Sequence, residues 1–468
     1  MSGHTNSQQC SVCRVCMSVI LAISLLLCYR NLIAMDVITL TTTINEWAVR
    51  TTSSPIHDDD AISTLWNPPP PPEIPPTRIA YAVSVTSCNK PQLVMDGASV
   101  LQHSIHINSI RNSKSGSLYD YDMIAFVHTE ATSCIQILRD LRYKIFLRKV
   151  PIQIDKIRGN YRRWANTTGC CGDKEWLKLY AYTMTQYPVV VHLDLDCLVL
   201  KPMDDLFDAM IFPTAENHNV WLTARQRIPA MWVKSGELPI KIDAFFTRDY
   251  GMVQMPGRRK PHQIGVQGGF LVIRPNMTDF KQYIEIILEG NYTETQGWGE
   301  GLQYGGYYGA GTIQGLAAMF YSHLHPERAV ELNRCIYNNM ADAPYPKKYD
   351  TKQFSHMKPY PCISLQEVCE DCRKTPIDDI VSIHLTNCLK PWHCRPPGRM
   401  PLICVQHWHE WYRMRYLFEA KSRNEQVNAP RIYVDRTMNI QNISFGYCSG
   451  IGPLNYHSIN ESMPKLQR

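Results

Sequence analysis

Two aspartates, Asp194 and Asp196, interrupt a run of β-branched and apolar residues at positions 189–200. In a strand, the side chains of residues i and i+2 point to the same side, so the two carboxylates should lie close together. Neighbouring carboxylates resist burial unless a cation lies between them. Open α/β sheets bind ligands at the carboxyl ends of parallel strands. The pair therefore predicts a Mg²⁺ or Mn²⁺ clamp that holds a diphosphate; the alternative is solvated acids at a strand end.

The composition of the 468 residues is that of a folded protein, with 44% hydrophobic and 19% charged residues. The formal net charge is +6, and the basic residues are dispersed along the chain. No zinc-finger or helix-turn-helix spacing stands out. The sequence therefore gives no indication of a nucleic-acid partner.

Residues 15–29 carry no charge and lie between Arg14 and Arg30, and apolar character continues to Met35. The pattern predicts a transmembrane signal anchor at 15–35 behind a cytosolic tail at 1–14. A cleaved signal peptide is the alternative, since its apolar core has a similar length. The anchor hypothesis predicts a single-pass type II protein of the Golgi or endoplasmic reticulum membrane, with its catalytic domain in the lumen.

The segment 36–77 is rich in Thr, Ser and Asp and ends in a proline-rich stretch at 67–76. Consecutive prolines adopt an extended, stiff helix, so the segment is predicted to be a stem that lifts a domain off the membrane. A polyproline ligand for a partner protein is the alternative.

Sequons and cysteines favour a secretory compartment. The five Asn-x-Ser/Thr sequons are Asn166, Asn276, Asn291, Asn442 and Asn460. Thirteen of the 17 cysteines follow Cys28, and this odd number leaves at least one thiol free or paired between chains. Cys369 and Cys372 form a Cys-x-x-Cys pair, for which disulfides are favoured over a zinc knuckle in a secreted chain.

Strand and helix patterns alternate from Arg78 onward, which predicts a mostly parallel sheet with helices on both faces. The fold class is thus α/β, a Rossmann-like α/β/α sandwich. A domain at 78–420 and a C-terminal extension at 421–468 are expected. The predicted strands are 79–86, 121–127, 143–150 and the run that carries the two aspartates, and the predicted helices are 94–110, 135–141 and 176–184.

Four blocks of this chain, between about Arg78 and Trp392, are similar to glycosyltransferase family 8, the glycogenin-like retaining transferases. They are Leu177-Lys178-Leu179 followed by Leu193-Asp194-Leu195-Asp196 and Asp204-Asp205-Leu206-Phe207; Gln267-Gly268-Gly269; Gly311-Thr312-Ile313-Gln314-Gly315; and His384 to Trp392, which ends in Lys390-Pro391-Trp392. The first and last blocks lie about 190 residues apart and in the family's order.

The resemblance implies a GT-A type transferase that moves a hexose or hexuronic acid from a UDP-sugar, with retention of configuration, to a glycan, protein or lipid acceptor. It implies a metal site of Asp194, Asp196 and His384, and an imidazole ligand favours Mn²⁺ over the still possible Mg²⁺. Gln314 would position the anomeric carbon, next to catalytic Asp194 and Asp196. The implied donor-binding residues are Lys178, Gln267, Gly268, Gly269 and Lys390.

Three positions depart from the family pattern. Ile313 stands where the family often has Asp, Gln267 replaces the usual Asn, and Asn387 replaces a glycine. The missing carboxylate at Ile313 motivates a rival hypothesis, a catalytically inactive relative that binds sugar nucleotide or glycan. A second rival is a disulfide-rich interaction protein whose working part is the region 362–404.

Overall fold

The computed structural model of the protein describes residues 77–112, 115–211, 217–228, 230–231, 238–252, 260, 263–345, 362–364, 366 and 368–462. The predicted tail, anchor and stem fall on residues 1–77, of which only Thr77 is among those described. No helix in the described ranges combines the length and the apolar character that crossing a membrane requires.

The core is an eight-stranded sheet with the order β3-β2-β1-β4-β8-β7-β11-β6. Strands β6 and β8 run antiparallel to their neighbours, and the other six strands run in one direction. The strands are β1 Arg78–Val85, β2 Asp120–His128, β3 Lys144–Arg148, β4 Val190–Leu193, β5 Cys197–Val199, β6 Ala230–Met231, β7 Ala244–Arg248, β8 Val266–Ile273, β9 Tyr292–Thr293, β10 Gly297–Trp298, β11 Ala329–Leu332 and β12 Ser382–His384.

Helices cover both faces of the sheet. The α-helices are α1 Pro91–Asn108, α2 Ile135–Asp140, α3 Asp204–Met210, α4 His218–Arg227, α5 Met277–Glu289, α6 Ile313–Met319, α7 Leu402–Ser422, α8 Ile440–Ile443 and α9 Ile459–Ser462. In β1, Tyr81 and Val83 pack with α1 and α2 on one face, whereas Ala80 and Ala82 pack with α5 and α6 on the other. This alternation confirms the predicted α/β sandwich with a mostly parallel central sheet.

Two local predictions differ from the structure. The helix expected at 176–184 is a 3₁₀ helix that already begins at Gly172 and ends at Thr183. The strand expected through Asp194 and Asp196 ends at Leu193, and a second strand begins at Cys197. Strand β4 belongs to the central sheet, whereas β5 pairs with β12 in a separate two-stranded sheet. Apolar residues on both sides of the break hide this change of partner from the hydrophobic pattern.

Five disulfides cross-link the described residues, and they confirm that the Cys-x-x-Cys pair is not a zinc knuckle. Each of its sulfurs lies in a different disulfide. The bonds are Cys88–Cys134, Cys335–Cys372, Cys362–Cys369, Cys388–Cys404 and Cys394–Cys448. Among the described cysteines, Cys170, Cys171 and Cys197 stay outside these bonds.

The segment after α7 folds back onto α1 through a cluster of buried charges, here called the Arg415 cluster (Asp96, Arg415, Glu419 and Tyr456). The Tyr456 hydroxyl donates a hydrogen bond of 2.6 Å to Asp96, and the Ile459 backbone N–H donates one of 2.9 Å to the same carboxylate. Arg415 donates to Glu419 at 2.9 Å and to Tyr456 at 2.8 Å. The last described residues therefore pack against the first helix of the domain.

Candidate active site

The turn between β4 and β5 carries both predicted aspartates. The Asp194 backbone N–H donates to Gly269 O of β8, at 3.1 Å, while the Asp196 carbonyl accepts from the Leu385 N–H, at 3.0 Å. The two residues are close because they lie in one turn that joins two sheets. The prediction placed them on the same face of a single strand. The turn lies at the carboxyl end of β4, where α/β sheets bind ligands.

His384 reaches this turn through the small sheet. In the β12–β5 ladder, His384 lies opposite Cys197, one residue after Asp196. Its Nε2 lies 3.4 Å from Asp196 Oδ1. Ligand atoms of Asp194, Asp196 and His384 all lie within 4.8 Å of one another. The structure thus brings these three predicted metal ligands together, and they are called the ligand trio below.

The donor set of the trio suits a divalent cation. Two carboxylate oxygens and one imidazole nitrogen fit Mn²⁺ better than Mg²⁺, which prefers oxygen ligands and water. His384 Nδ1 is buried and has no hydrogen-bond partner within the described part of the chain. A Cβ at Gly269 would lie 2.4 Å from His384 Cε1 and 2.6 Å from Asp194 Oδ2. Only glycine therefore lets β8 pass beside the trio.

A lysine pairs with each aspartate. Lys178 Nζ lies 3.0 Å from Asp194 Oδ1, 3.0 Å from Glu175 Oε2 and 3.1 Å from the Gly268 carbonyl oxygen. Burial works against the Lys178 ammonium, but Asp194 and Glu175 together raise its pKa above the usual value. A cation at the trio would compete with Lys178 for Asp194, while Glu175 and the Gly268 carbonyl oxygen would remain partners of Lys178.

Lys390 donates a hydrogen bond to Asp196. Burial raises the pKa of the Asp196 carboxyl, but His384 and Lys390 outweigh it and hold the pKa well below its ordinary value. Asp196 therefore stays ionised across the neutral range, as a metal ligand must.

The predicted donor residues on β8 divide between two environments. Gly268 lies against α6, where an added Cβ would stand 2.6 Å from Ile313 Cγ2 and 3.4 Å from Gln314 Cγ. Gln314 is the second residue of α6, and its Oε1 leaves no room for a side chain at Gly309. Gln314 thus lies next to Gly268 and on the Lys178 side of the strand.

Gln267 is buried, and both ends of its side-chain amide are hydrogen-bonded within the protein. Its Nε2 donates to Asp249 Oδ2 at 3.1 Å, and its Oε1 accepts from the Gly269 N–H at 2.7 Å. The side chain therefore fixes the strand beside the trio instead of facing a ligand.

Two carboxylates that the sequence analysis did not single out, Asp249 and Asp342, contact Gln267 and Asn387 respectively. The pKa of Asp249 is raised to about 7, because burial and the nearby Asp342 carboxylate raise it more than His384 lowers it. Asn387 Nδ2 donates to Asp342 Oδ1 at 3.0 Å, as Gln267 does to Asp249. Both amides that depart from the family pattern therefore hold this carboxylate pair. The sequence signal was Asn387, since its side-chain amide can donate a hydrogen bond and the glycine of the family pattern cannot.

A cavity of about 360 Å³ opens next to Asp196 and Lys390. It lies between the loop after β1 and the segment that carries Trp392. Its polar lining includes Lys90 and Asn89, which the sequence reasoning missed although they follow the carboxyl end of a parallel strand. The remaining lining residues are Ser87, Leu93, Val94, Leu195 and Trp392.

Comparison with known proteins gives structural likenesses only. No protein-family model matches the chain, and no curated protein sequence matches it. Mouse xyloside xylosyltransferase 1 matches with a TM-score of 0.38 at 13% identity, over 66% of this chain and 97% of the mouse chain.

The galactosyltransferase LgtC, solved in complex with donor and acceptor sugar analogues, matches with a TM-score of 0.37 at 12% identity, over 76% of this chain and 98% of its own. GlyE of Streptococcus pneumoniae matches with a TM-score of 0.35 at 14% identity, over 75% of this chain and 66% of its own. All three TM-scores are below 0.5, so likenesses of this size do not bear on reaction or substrate.

Proposed function

We propose that this protein is a retaining glycosyltransferase of the GT-A type that uses Mn²⁺ and a UDP-sugar donor. The observation that carries the proposal is the ligand trio, which lies between Lys178 and Lys390 and beside the cavity at Asp196. Two carboxylates and an imidazole within reach of one cation, with a lysine paired to each carboxylate, match a metal diphosphate in charge and in donor type.

The nucleotide half of the donor fits the cavity. Leu93, Leu195 and Trp392 supply apolar lining for a base, and Asn89 and Lys90 supply polar groups. The diphosphate would then lie at Asp196 and Lys390, where the cavity meets the trio.

When bound, Mn²⁺ would stabilise the negative charge that develops on the leaving diphosphate. Lys178 and Lys390 hold phosphate oxygens as fixed positive charges and need no rearrangement during bond breaking. Gln314 has no charge and is a weak nucleophile, so its role is to orient the sugar and to stabilise positive charge at the anomeric carbon. A hexose or hexuronic acid is proposed as the transferred sugar, and a glycan, protein or lipid as the acceptor.

A lumenal location in the Golgi or endoplasmic reticulum, behind an N-terminal anchor, is part of this proposal. The five disulfides support it, because such bonds persist in oxidising compartments. The side chains of Asn166, Asn291 and Asn442 are exposed, as glycan attachment requires.

The second candidate function is binding of a sugar nucleotide without turnover. Its supporting observation is Ile313, whose side chain is buried against Gly268 at the position of the family's carboxylate. That contact puts an apolar side chain where the family often has a carboxylate.

Nucleotide release separates the two candidates. The purified full chain is incubated with a panel of UDP-sugars, with Mn²⁺ or with a chelator, and free UDP is measured. A transferase releases UDP slowly from one sugar by hydrolysis, only with the metal, and Asp194→Asn abolishes the release. Asp120→Asn is the matched control, since the Asp120 and Asp194 side chains are both 33% exposed. Metal-dependent UDP binding with no release from any sugar, even with acceptor mixtures present, would favour the binding protein.

A further inference from the structure

Two adjacent cysteines, Cys170 and Cys171, lie beside the candidate site and outside the five disulfides. Their sulfur atoms are 2.8 Å apart. Gly169 and Gly172 flank them with φ values of +66° and +59°. Positive φ angles on both sides, which glycine adopts without strain, turn the backbone so that both sulfurs face the same way.

The surroundings of the two thiols connect them to the ligand trio. Cys170 Sγ lies 3.3 Å from Glu175 Oε1, and Thr86 Oγ1 donates to Cys171 Sγ at 3.7 Å. Glu175 in turn pairs with Lys178, which pairs with Asp194. Cys170 is exposed and Cys171 is half-buried, so a small thiol reagent can reach the pair.

We propose that Cys170 and Cys171 are a reversible modification site, a dithiol that closes to a disulfide between adjacent residues. The oxidant is a small disulfide such as oxidised glutathione. The Cys171 thiolate attacks one of its sulfurs, the sulfur–sulfur bond of the oxidant breaks, and one glutathione thiolate leaves. The Cys170 thiolate then attacks Cys171 Sγ and displaces the second glutathione. The pair loses two electrons and two protons, and the oxidant gains them as two thiols.

The short sulfur–sulfur separation favours a disulfide over a metal site. Two thiolates bound to one tetrahedral zinc at about 2.3 Å each would stand about 3.8 Å apart. The observed 2.8 Å is nearer to the roughly 2.05 Å of a disulfide bond. Adjacent Cα atoms are only about 3.8 Å apart, less than most disulfides span, so a ring between neighbours is strained and easily reduced.

The polarity around Cys171 suits the attacking role. The thiol of Cys170 donates a hydrogen bond that lowers the Cys171 pKa; burial and the Glu175 carboxylate oppose this shift, and Thr86 and Lys178 add to it. A partly exposed thiol with a lowered pKa is the kind that exchanges readily.

Differential alkylation tests the proposal. The full chain is equilibrated in glutathione buffers from reducing to oxidising, quenched with acid, denatured, alkylated, deglycosylated and digested with trypsin. Residues 164–174 form one peptide, and Cys170 and Cys171 are its only cysteines. We expect this peptide to change from doubly alkylated to an unalkylated form about 2 Da lighter than the dithiol, with little singly alkylated product. The Cys197 peptide should stay alkylated throughout, because that thiol is buried.

Variants make the result specific. Cys170→Ser and Cys171→Ser should abolish the unalkylated form, and Cys197→Ser should leave the transition unchanged. Two alkylated thiols in every buffer that keeps the five disulfides formed would overturn the proposal. So would one equivalent of zinc that is retained by the wild type and lost from both serine variants, since the pair would then be a metal site. Neither readout depends on the donor or on turnover.

Discussion

The ligand trio and the Arg415 cluster both bury charged side chains, but they differ in what lies beside those charges. In the Arg415 cluster, protein groups surround every charge, because Arg415 donates to Glu419 and to Tyr456 and Tyr456 donates to Asp96. The Arg415 guanidinium also lies 3.8 Å from the Tyr447 ring centre. We call this cluster closed, because its charged groups have their partners within the protein.

The ligand trio is open on one side. Asp196 lines a cavity, and the trio has a histidine nitrogen with no partner among the described groups. Burying a charge is costly unless it is paired. We therefore expect a cluster whose charges are all paired within the protein to contribute to stability, and a cluster that borders a cavity to bind a ligand. The difference predicts that the two clusters respond to substitution in different ways.

The largest expected effect is on stability and comes from Arg415→Met. Glu419 and Asp96 would lose their buried cationic partner, which costs about 3–5 kcal/mol. The free energy of unfolding by denaturant measures it. Arg423→Met is the control, because Arg423 contacts the same Glu419 at 3.6 Å from a more exposed position. Its expected cost is below about 1 kcal/mol. Equal losses in both variants would contradict the closed character of the Arg415 cluster.

Asp196→Asn should act on turnover instead of stability. Metal-dependent UDP release is expected to fall about 10²–10³-fold, since a group that stabilises charge in the transition state is lost. The denaturation midpoint should change little, because Lys390 and His384 remain near the opening. A variant that unfolds as readily as Arg415→Met would show that the trio serves packing.

Lys390→Met should weaken donor binding. A hydrogen bond to a charged group contributes about 1.5–3 kcal/mol, so KM for the UDP-sugar should rise roughly 10- to 100-fold. Lys90→Met, in the lining of the same cavity, should have a smaller effect, because Lys390 bonds to Asp196 of the trio. Unchanged KM in the Lys390 variant would place the diphosphate elsewhere.

The smallest expected effect is a pH dependence of stability from Asp96. Burial raises the pKa of Asp96 to about 6, although Arg415 and Tyr456 lower it in part. The folded state therefore binds this proton more tightly than the unfolded state does. The resulting stability is fully present below the unfolded pKa near 4 and is lost as pH rises through 6. The difference in unfolding free energy between wild type and Asp96→Asn should fall from pH 4 to pH 7 by roughly 2 kcal/mol, and a flat difference would contradict it.

Local pattern and family resemblance were enough to predict the alternation of strands and helices and the three residues of the ligand trio. They were not enough to predict the turn at Asp194, because the break there comes from hydrogen bonds to β8 and to the segment after β12. Those partners lie about 75 and 190 residues further along the chain. Pairing at such distances leaves no trace in the periodicity of the strand itself.

Buried polar contacts were also beyond the sequence. Asp249 and Asp342 lie 93 residues apart and meet only in the fold, behind Gln267 and Asn387. The Arg415 cluster likewise joins α1 to a segment more than 350 residues later. From sequence alone a charged residue is predicted to be exposed. Only the structure shows the partners that allow it to be buried.

Manganese binding by the full chain tests the central claim most directly. The free Mn²⁺ signal in electron paramagnetic resonance is titrated with protein in the presence of UDP, for wild type, His384→Ala and the control His106→Ala. The account predicts one Mn²⁺ per chain for the wild type and the control, and an affinity at least about tenfold weaker for His384→Ala. Equal binding by wild type and His384→Ala, or no binding by the wild type, would contradict it.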